Sequence, residues 1–312
     1  MNEQLIFSSE HFAFCHAPTV VDTPQGLLMA CFAGPAEGHK NAGIWGATFS
    51  GEWCDQKQIV DSMQDNGQRV PLWNPVLFTD NSEIRLYYRI GTSPTDWQCA
   101  YVSTSDANTW SSSEPLSSAL TGPVRNKPLK LESGNIIVPT STEIDDWSIH
   151  FELLEEGTDS WKIINVPGNG IRAIQPVIVQ HENNTLQALC RTRNSYIAQT
   201  WSVDGGLTWS QLELTDLINP NAAIDAITCD GLGYLLVYND CQFGRYKLVI
   251  AASSDGHSWE VKVVLEESMG EYSYPSLAFS ENGSLHILYT FNRKNIKHVE
   301  ISDQEVLALF GQ

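Results

Sequence analysis

The sequence predicts an all-β fold, a six-bladed β-propeller of four-stranded antiparallel blades. An apolar hairpin recurs six times, a tryptophan follows it in phase, and no stretch shows helical periodicity. The hairpins read HAPTVVDTPQGLLMACFAG, NPVLFTDNSEIRLYYRIG, KPLKLESGNIIVPTSTE, QPVIVQHENNTLQALCRTR, DAITCDGLGYLLVYND and YPSLAFSENGSLHILYTFNR. In the common pattern a residue or two precede a proline, an apolar strand follows, and a turn rich in Asp, Asn, Gly or Ser returns the chain into a second apolar strand. The prolines are Pro18, Pro75, Pro128, Pro176 and Pro275, with Ala226 filling the position inside the double interval, so the period is about fifty residues.

A third strand follows each hairpin: AGIWGATF, QCAYVSTS, SIHFELL, IAQTWSV, LVIAASS and IKHVEIS. The tryptophan marker then comes at Trp53, Trp110, Trp161, Trp209 and Trp259, at intervals of 57, 51, 48 and 50. Around Trp209 the segment SVDGGLTW has the Asp-box form S-x-D-x-G-x-T-W; TSDANTW and SSDGHSW are one residue shorter, and SGEW and EEGTDSW are degraded. Such a hairpin uses its Asp and Ser or Thr side chains to bond turn backbone and packs its Trp between sheets, a structural role. The sixth repeat stops at its third strand, Ile296 to Ile301, so the N-terminal segment LIFSS, residues 5–9, is expected to supply the outer strand and close the ring. The whole chain, 1–312, reads as a single propeller domain.

Composition narrows the function. Eighteen Lys plus Arg against 37 Asp plus Glu leave a net charge of −19, which repels a phosphate backbone, so no nucleic-acid partner is expected. No apolar run reaches the length of a membrane-spanning helix and the N-terminus lacks a basic, then apolar, leader, so a cytoplasmic protein with no membrane partner is expected. The seven cysteines are scattered and lack metal or redox spacing, and read as reduced core thiols. The eight histidines form no H-E-x-x-H or Cys/His pattern; neither a metal nor a cofactor is expected.

In a propeller, the loops entering the inner strands and leaving the second strands ring one mouth of the central channel. Entering residues are Cys15 and His16, Trp73 and Asn74, Asn126 and Lys127, Ile174 and Gln175, Asp225, and Tyr272 and Tyr274. Second strands end at Glu37, Arg89, Glu143, Arg191 and Arg193, Asn239 and Asp240, and Arg293, while Arg245 precedes the third strand of the fifth repeat. An acidic protein thus sends arginines and titratable groups to one rim.

Through all six repeats the chain resembles the sialidase superfamily, and its WNPV, NKP, YSYP and IKHV segments resemble that superfamily's uncharacterised sialidase-like branch. The resemblance implies Arg191, after the fourth hairpin, and Arg245, ahead of a strand leading to an Asp box, as two arginines of a carboxylate clamp. It implies Tyr274, in YPSL, as the nucleophile, with Tyr272 the near alternative, and Glu37 as the acid that protonates the leaving oxygen. Arg193, Gln175, Asp225 and Tyr272 would line the substrate, a small acidic sugar or oligosaccharide.

Two positions depart from the family pattern. His16 stands where the first clamp arginine belongs, and Gln175 replaces the glutamate that accepts the tyrosine proton. Weak or no turnover of ordinary sialosides is therefore expected, with Glu143 or Glu271 the replacement base if turnover is robust. The expectation is a sialidase-like exo-glycosidase for an acidic sugar. The alternatives are a uronate-directed lyase, with His16 or Tyr274 removing the ring proton, and a non-catalytic glycan-binding propeller.

Overall fold

A computed structural model describes residues 1–8 and 11–312. β1 (Asn2–Leu5) precedes the first blade, β2 (Phe14–Thr23), β3 (Gly26–Gly34), β4 (Gly43–Phe49) and β5 (Trp53–Val60). The second blade is β6 (Leu72–Asp80), β7 (Glu83–Ile90), β8 (Gln98–Thr104) and β9 (Glu114–Pro115). The third is β10 (Leu129–Lys130), β11 (Ile136–Thr142), β12 (Ser148–Leu154) and β13 (Trp161–Asn165). The fourth is β14 (Ala173–Gln180), β15 (Leu186–Thr192), β16 (Tyr196–Ser202) and β17 (Glu213–Ile218). The fifth is β18 (Asp225–Cys229), β19 (Gly233–Asn239), β20 (Lys247–Ser253) and β21 (Glu260–Glu267). The sixth joins β22 (Tyr272–Phe279), β23 (Leu285–Phe291) and β24 (Asn295–Ile301) to β1, in the order β1-β24-β23-β22. Six four-stranded antiparallel sheets are the blades of the expected propeller.

The chain forms two compact units, Met1–Ala119 with Tyr274–Val306, and Leu120–Ser273 with Leu307–Gln312. In the first, the inward residues of β2 to β4, among them Val20, Leu27, Met29 and Cys31, pack with Leu288 and Ile296 of the last blade. In the second, Phe151 of the third blade stacks on Trp209 of the fourth with ring centroids 4.1 Å apart, as the Asp-box reading requires. Asp204 holds that turn: its Oδ1 accepts from Ser202 Oγ at 2.8 Å and Thr208 N at 2.9 Å, and its Oδ2 accepts from Thr208 Oγ1 at 2.6 Å.

Three expectations need correction. The closing strand is residues 2–5, paired Asn2↔Glu300 to Leu5↔Lys297, rather than residues 5–9. The consecutive apolar residues Ile6 and Phe7 cannot alternate across a half-exposed strand; both turn into the core, where Asn295 bonds the Phe7 N–H at 3.0 Å and its C=O at 2.7 Å. Ser9, the last residue of the expected segment, lies outside the described residues. A short helix, α1 (Asp303–Leu309), follows the last strand, started by a capping box in which Ser302 N donates to Glu305 Oε2 at 3.0 Å. Cys54 is exposed, whereas the other six cysteines are buried; all seven are free. Among the described residues, no helix is long and apolar enough to cross a membrane.

The marker prolines sit at a repeated backbone device. Ala17, Asn74, Gln175 and Tyr274, each immediately before a proline, have φ of 53°, 37°, 55° and 57°. Register shifts between His16 and Thr19, Trp73 and Val76, and Ile174 and Val177 identify β-bulges there. A proline disfavours the right-handed helical region for the residue before it and brings no N–H, so a bulge admits it into an inner strand without breaking the ladder. Left-handed φ at a non-glycine residue costs about 1–3 kcal/mol and persists only where neighbours impose it. Here hydroxyls of preceding blades help: Ala17 N donates to Thr290 Oγ1 and Gln175 N to Ser141 Oγ, both at 3.1 Å.

Candidate functional site

The bulges re-aim the side chains that the sequence singles out. In the first unit His16 and Tyr274, both buried, meet with ring centroids 4.2 Å apart. His16 Nδ1 shares a 2.9 Å hydrogen bond with Thr290 Oγ1, and Phe32 meets the imidazole edge-on at 5.7 Å. Thr290 therefore fixes both the bulge and the imidazole. Glu37, exposed in the loop after β3, pairs with the guanidinium of Arg293. Arg293 lies over the Phe14 ring at 5.9 Å, and its carbonyl accepts from Cys15 N at 3.0 Å.

The second unit gathers the cations. Arg191 Nε donates to Asn221 Oδ1 at 2.6 Å, and its Nη1 to Gln175 Oε1 at 3.3 Å. Arg245 Nη1 pairs with Glu271 Oε1 at 3.1 Å, and its Nη2 donates to the Asn221 carbonyl at 3.5 Å. One asparagine thus ties two guanidinium groups from neighbouring blades. Arg193 and Arg191 both lie over the Trp147 ring, at 4.3 and 5.3 Å, a cation–π arrangement that orients them without neutralising either. Lys127 Nζ reaches Asp225 Oδ2 at 3.4 Å; Asp225 is 4% exposed at its side chain. Burial, and then the Arg125 charge, lower the Lys127 ammonium from its ordinary value, against the raising effect of Asp225.

Tyr272 differs from Tyr274. It is buried, its hydroxyl engages Ser268 Oγ at 2.7 Å, and its backbone N–H is taken by the Arg245 carbonyl at 2.8 Å. Of the two reserve carboxylates, Glu143 accepts the Trp147 Nε1–H at 2.8 Å, while Glu271 also accepts from Ser273 Oγ at 3.2 Å. Asn221, Trp147 and Thr290 were not candidates from sequence. The N-P-N turn before the fifth inner strand is the only local signal for Asn221, whose φ of 62° suits asparagine.

Chemically, the second-unit group sets Lys127, Arg191 and Arg245 against Asp225 and Glu271. In a chain of net charge −19, this is a local excess of donors and positive charge. Gln175 accepts from Arg191 without cancelling its charge, as a glutamate there would.

The model of the BNR repeat-like domain matches residues 25–287, most of the chain. The protein belongs to the BNR repeat-like family. A search of curated proteins gives no match. Solved structures give many for this BNR repeat-like chain. A Hadza microbial sialidase superposes with a TM-score of 0.81 at 15% identity, over 97% of this chain and 68% of its own. A leech intramolecular trans-sialidase, complexed with 2,7-anhydro-Neu5Ac, gives 0.79 at 15% identity over 100% and 71%. The intramolecular trans-sialidase from Ruminococcus gnavus, complexed with oseltamivir carboxylate, gives 0.76 at 16% identity over 98% of both chains. At such identities the likeness establishes a sialidase-like fold for this BNR repeat-like protein, and its chemistry rests on its own residues.

Proposed function

We propose that the protein is a sialidase-like glycosidase that takes a small acidic sugar, with weak or no activity on ordinary sialosides. The observation that carries this reading is the Arg191–Asn221–Arg245 arrangement, in which one asparagine ties two guanidinium groups from neighbouring blades in an otherwise acidic chain. The sugar ligands named for the leech and Ruminococcus gnavus structures support a carbohydrate partner. In this reading Arg191, Arg245 and Arg193 bind the carboxylate, with Gln175, Asp225 and Tyr272 around it. Tyr274 Oη attacks the anomeric carbon as the glycosidic C–O bond breaks, its proton passing to the replacement base, Glu143 or Glu271, and Glu37 protonates the departing oxygen. Water then cleaves the tyrosyl intermediate. The free cysteines accord with a cytoplasmic location, which is part of the proposal.

The His16–Tyr274 ring pair favours a second reading, a uronate-directed lyase. There one of the two removes the ring proton beside the carboxylate, the glycosidic oxygen leaves, and a carbon–carbon double bond forms. A single assay separates the readings: aryl sialosides and uronate oligosaccharides are offered, and released aglycone and ultraviolet absorbance are both followed. Aglycone release lost in Tyr274→Phe supports the hydrolase, and new absorbance supports the lyase. Binding without either product leaves a glycan-binding propeller and rejects both catalytic readings.

A further inference from the structure

Within the second unit, the hairpin of β11 and β12 carries an arm that reaches the fourth blade. Thr142 pairs with Ser148, so residues 143–147 form its tip. Two hydrogen bonds pin Trp147 there: its backbone N–H donates to Asp146 Oδ1 at 2.8 Å, and its indole Nε1–H donates to Glu143 Oε2 at 2.8 Å. Asp146 Oδ2 pairs with Arg172 Nε at 3.0 Å, and the Arg172 carbonyl accepts from Arg193 N at 3.1 Å. The tip is thus tied to the residue that enters β14, which is itself bonded to the segment leaving β15. Trp147 is buried in this arrangement, and its ring meets Arg193 at 4.3 Å and Arg191 at 5.3 Å.

We propose that Glu143 and Trp147 are positioning residues for acidic-sugar binding: Glu143 fixes the indole, and the indole gathers Arg191 and Arg193 into one set of donors. The proposal rests on the acidic-sugar reading and deepens it. Neighbouring guanidinium groups repel each other, and a long side chain that only its ligand orders costs affinity. The negative faces of an aromatic ring attract both cations and restrict both, without the neutralisation that a carboxylate partner would bring. The effect matters most at Arg193, which is exposed just beyond β15 and pairs with no carboxylate among the described residues. Glu143 acts on the ring through one hydrogen bond, which needs only an acceptor oxygen. A glutamine supplies that oxygen and removes a negative charge from beside the arginines, whereas a leucine supplies nothing.

The test is calorimetry of N-acetylneuraminate and glucuronate binding, over a range of salt concentrations, to wild type, Trp147→Phe, Trp147→Leu, Glu143→Gln, Glu143→Leu and Arg191→Met. Melting temperatures identify any misfolded variant; if Trp147→Leu is one, the two Glu143 variants decide. Trp147→Leu and Glu143→Leu are expected to weaken the acidic sugar that binds by about fivefold or more, while Trp147→Phe and Glu143→Gln stay within about threefold of wild type. The salt dependence of affinity should become shallower only in Arg191→Met, because the other variants keep every cation of the site. Full affinity in the leucine variants, with loss in Arg191→Met, overturns the proposal and leaves the acidic-sugar reading standing. Equal weakening in Glu143→Gln and Glu143→Leu also overturns it, since the lost charge and not the lost acceptor would then be the cause. Absence of any acidic-sugar binding by wild type overturns both.

Discussion

Arg191 and Arg245 are joined by Asn221, which gives its side-chain oxygen to the first at 2.6 Å and its backbone carbonyl to the second at 3.5 Å. The side-chain bond can be removed without disturbing the turn, because glycine tolerates the φ of 62° at this position. Asn221→Gly should cost about 1–2 kcal/mol of acidic-sugar binding, from loss of one hydrogen bond to a charged group. Calorimetry of wild type and variant checks it, and equal affinities would show that Asn221 does not position Arg191.

Backbone strain at the bulges is testable at Ala17, which is buried and carries no proposed chemistry. Ala17→Val places a β-branched side chain at positive φ and should destabilise by about 2 kcal/mol or more. Ala17→Gly removes the strain but also a buried methyl, and should lie within about 1 kcal/mol of wild type. Denaturant unfolding measures both; a harmless valine would argue against the bulge.

Acid should loosen the closure of the sixth blade. His286 Nδ1 and His298 Nε2 share a 2.9 Å hydrogen bond, and Trp53 Nε1 and Gln4 Nε2 both reach His298 Nδ1, at 3.1 and 3.2 Å. Ser280 Oγ meets His286 Nε2 at 2.9 Å, and Asp22 and Glu300 are the carboxylates that act on His286. Burial lowers both imidazoles, His298 to about 3. The unfolded chain takes up protons below its ordinary histidine value, whereas folded His298 stays neutral, so stability is present at neutral pH and is lost as pH falls from about 6.5 toward 3. At pH 5 this loss is about 2 kcal/mol for His298 alone. Thermal melts at pH 7 and pH 5 should differ less in His298→Gln than in wild type; an equal difference would remove His298 as the cause.

Deleting residues 1–5 should lower the melting temperature of the whole first unit. The deletion removes β1 with its ladder to β24, the Met1 ammonium–Glu305 pair at 2.5 Å and the Glu3–Lys297 pair at 2.7 Å. It also exposes the edge of β24 to other chains. An unchanged melt and an unchanged monomer fraction by light scattering would show that this strand contributes nothing to closure.

Much of the architecture was legible because it depends on composition repeated at a fixed period. A hairpin of β-branched and aromatic residues with a turn at its tip needs only local chemistry, and six copies in phase with a tryptophan specify six blades. The closing strand was legible as a need, since the last repeat lacks a partner, but its span was not. Ile6 and Phe7 look like strand residues until the core that takes them is known. The helix at Asp303–Leu309 is written in a capping box, SDQE, that the repeat pattern overshadowed.

By itself the sequence determined the blade count, the prolines at the inner strands, the Asp-box turns and the arrival of Arg191, Arg245 and Tyr274 at strand ends. Each follows from residue type and spacing along the chain. Only tertiary structure decided which of those side chains meet: Asn221 between two arginines, Trp147 beneath Arg191 and Arg193, Lys127 against Asp225, and His16 on Tyr274. Their partners lie dozens to hundreds of residues away in the chain or at turns with no periodic signal. A pairing of that kind depends on inter-blade packing, which leaves no mark in local sequence, and on left-handed bulges, of which the sequence shows only the proline that follows.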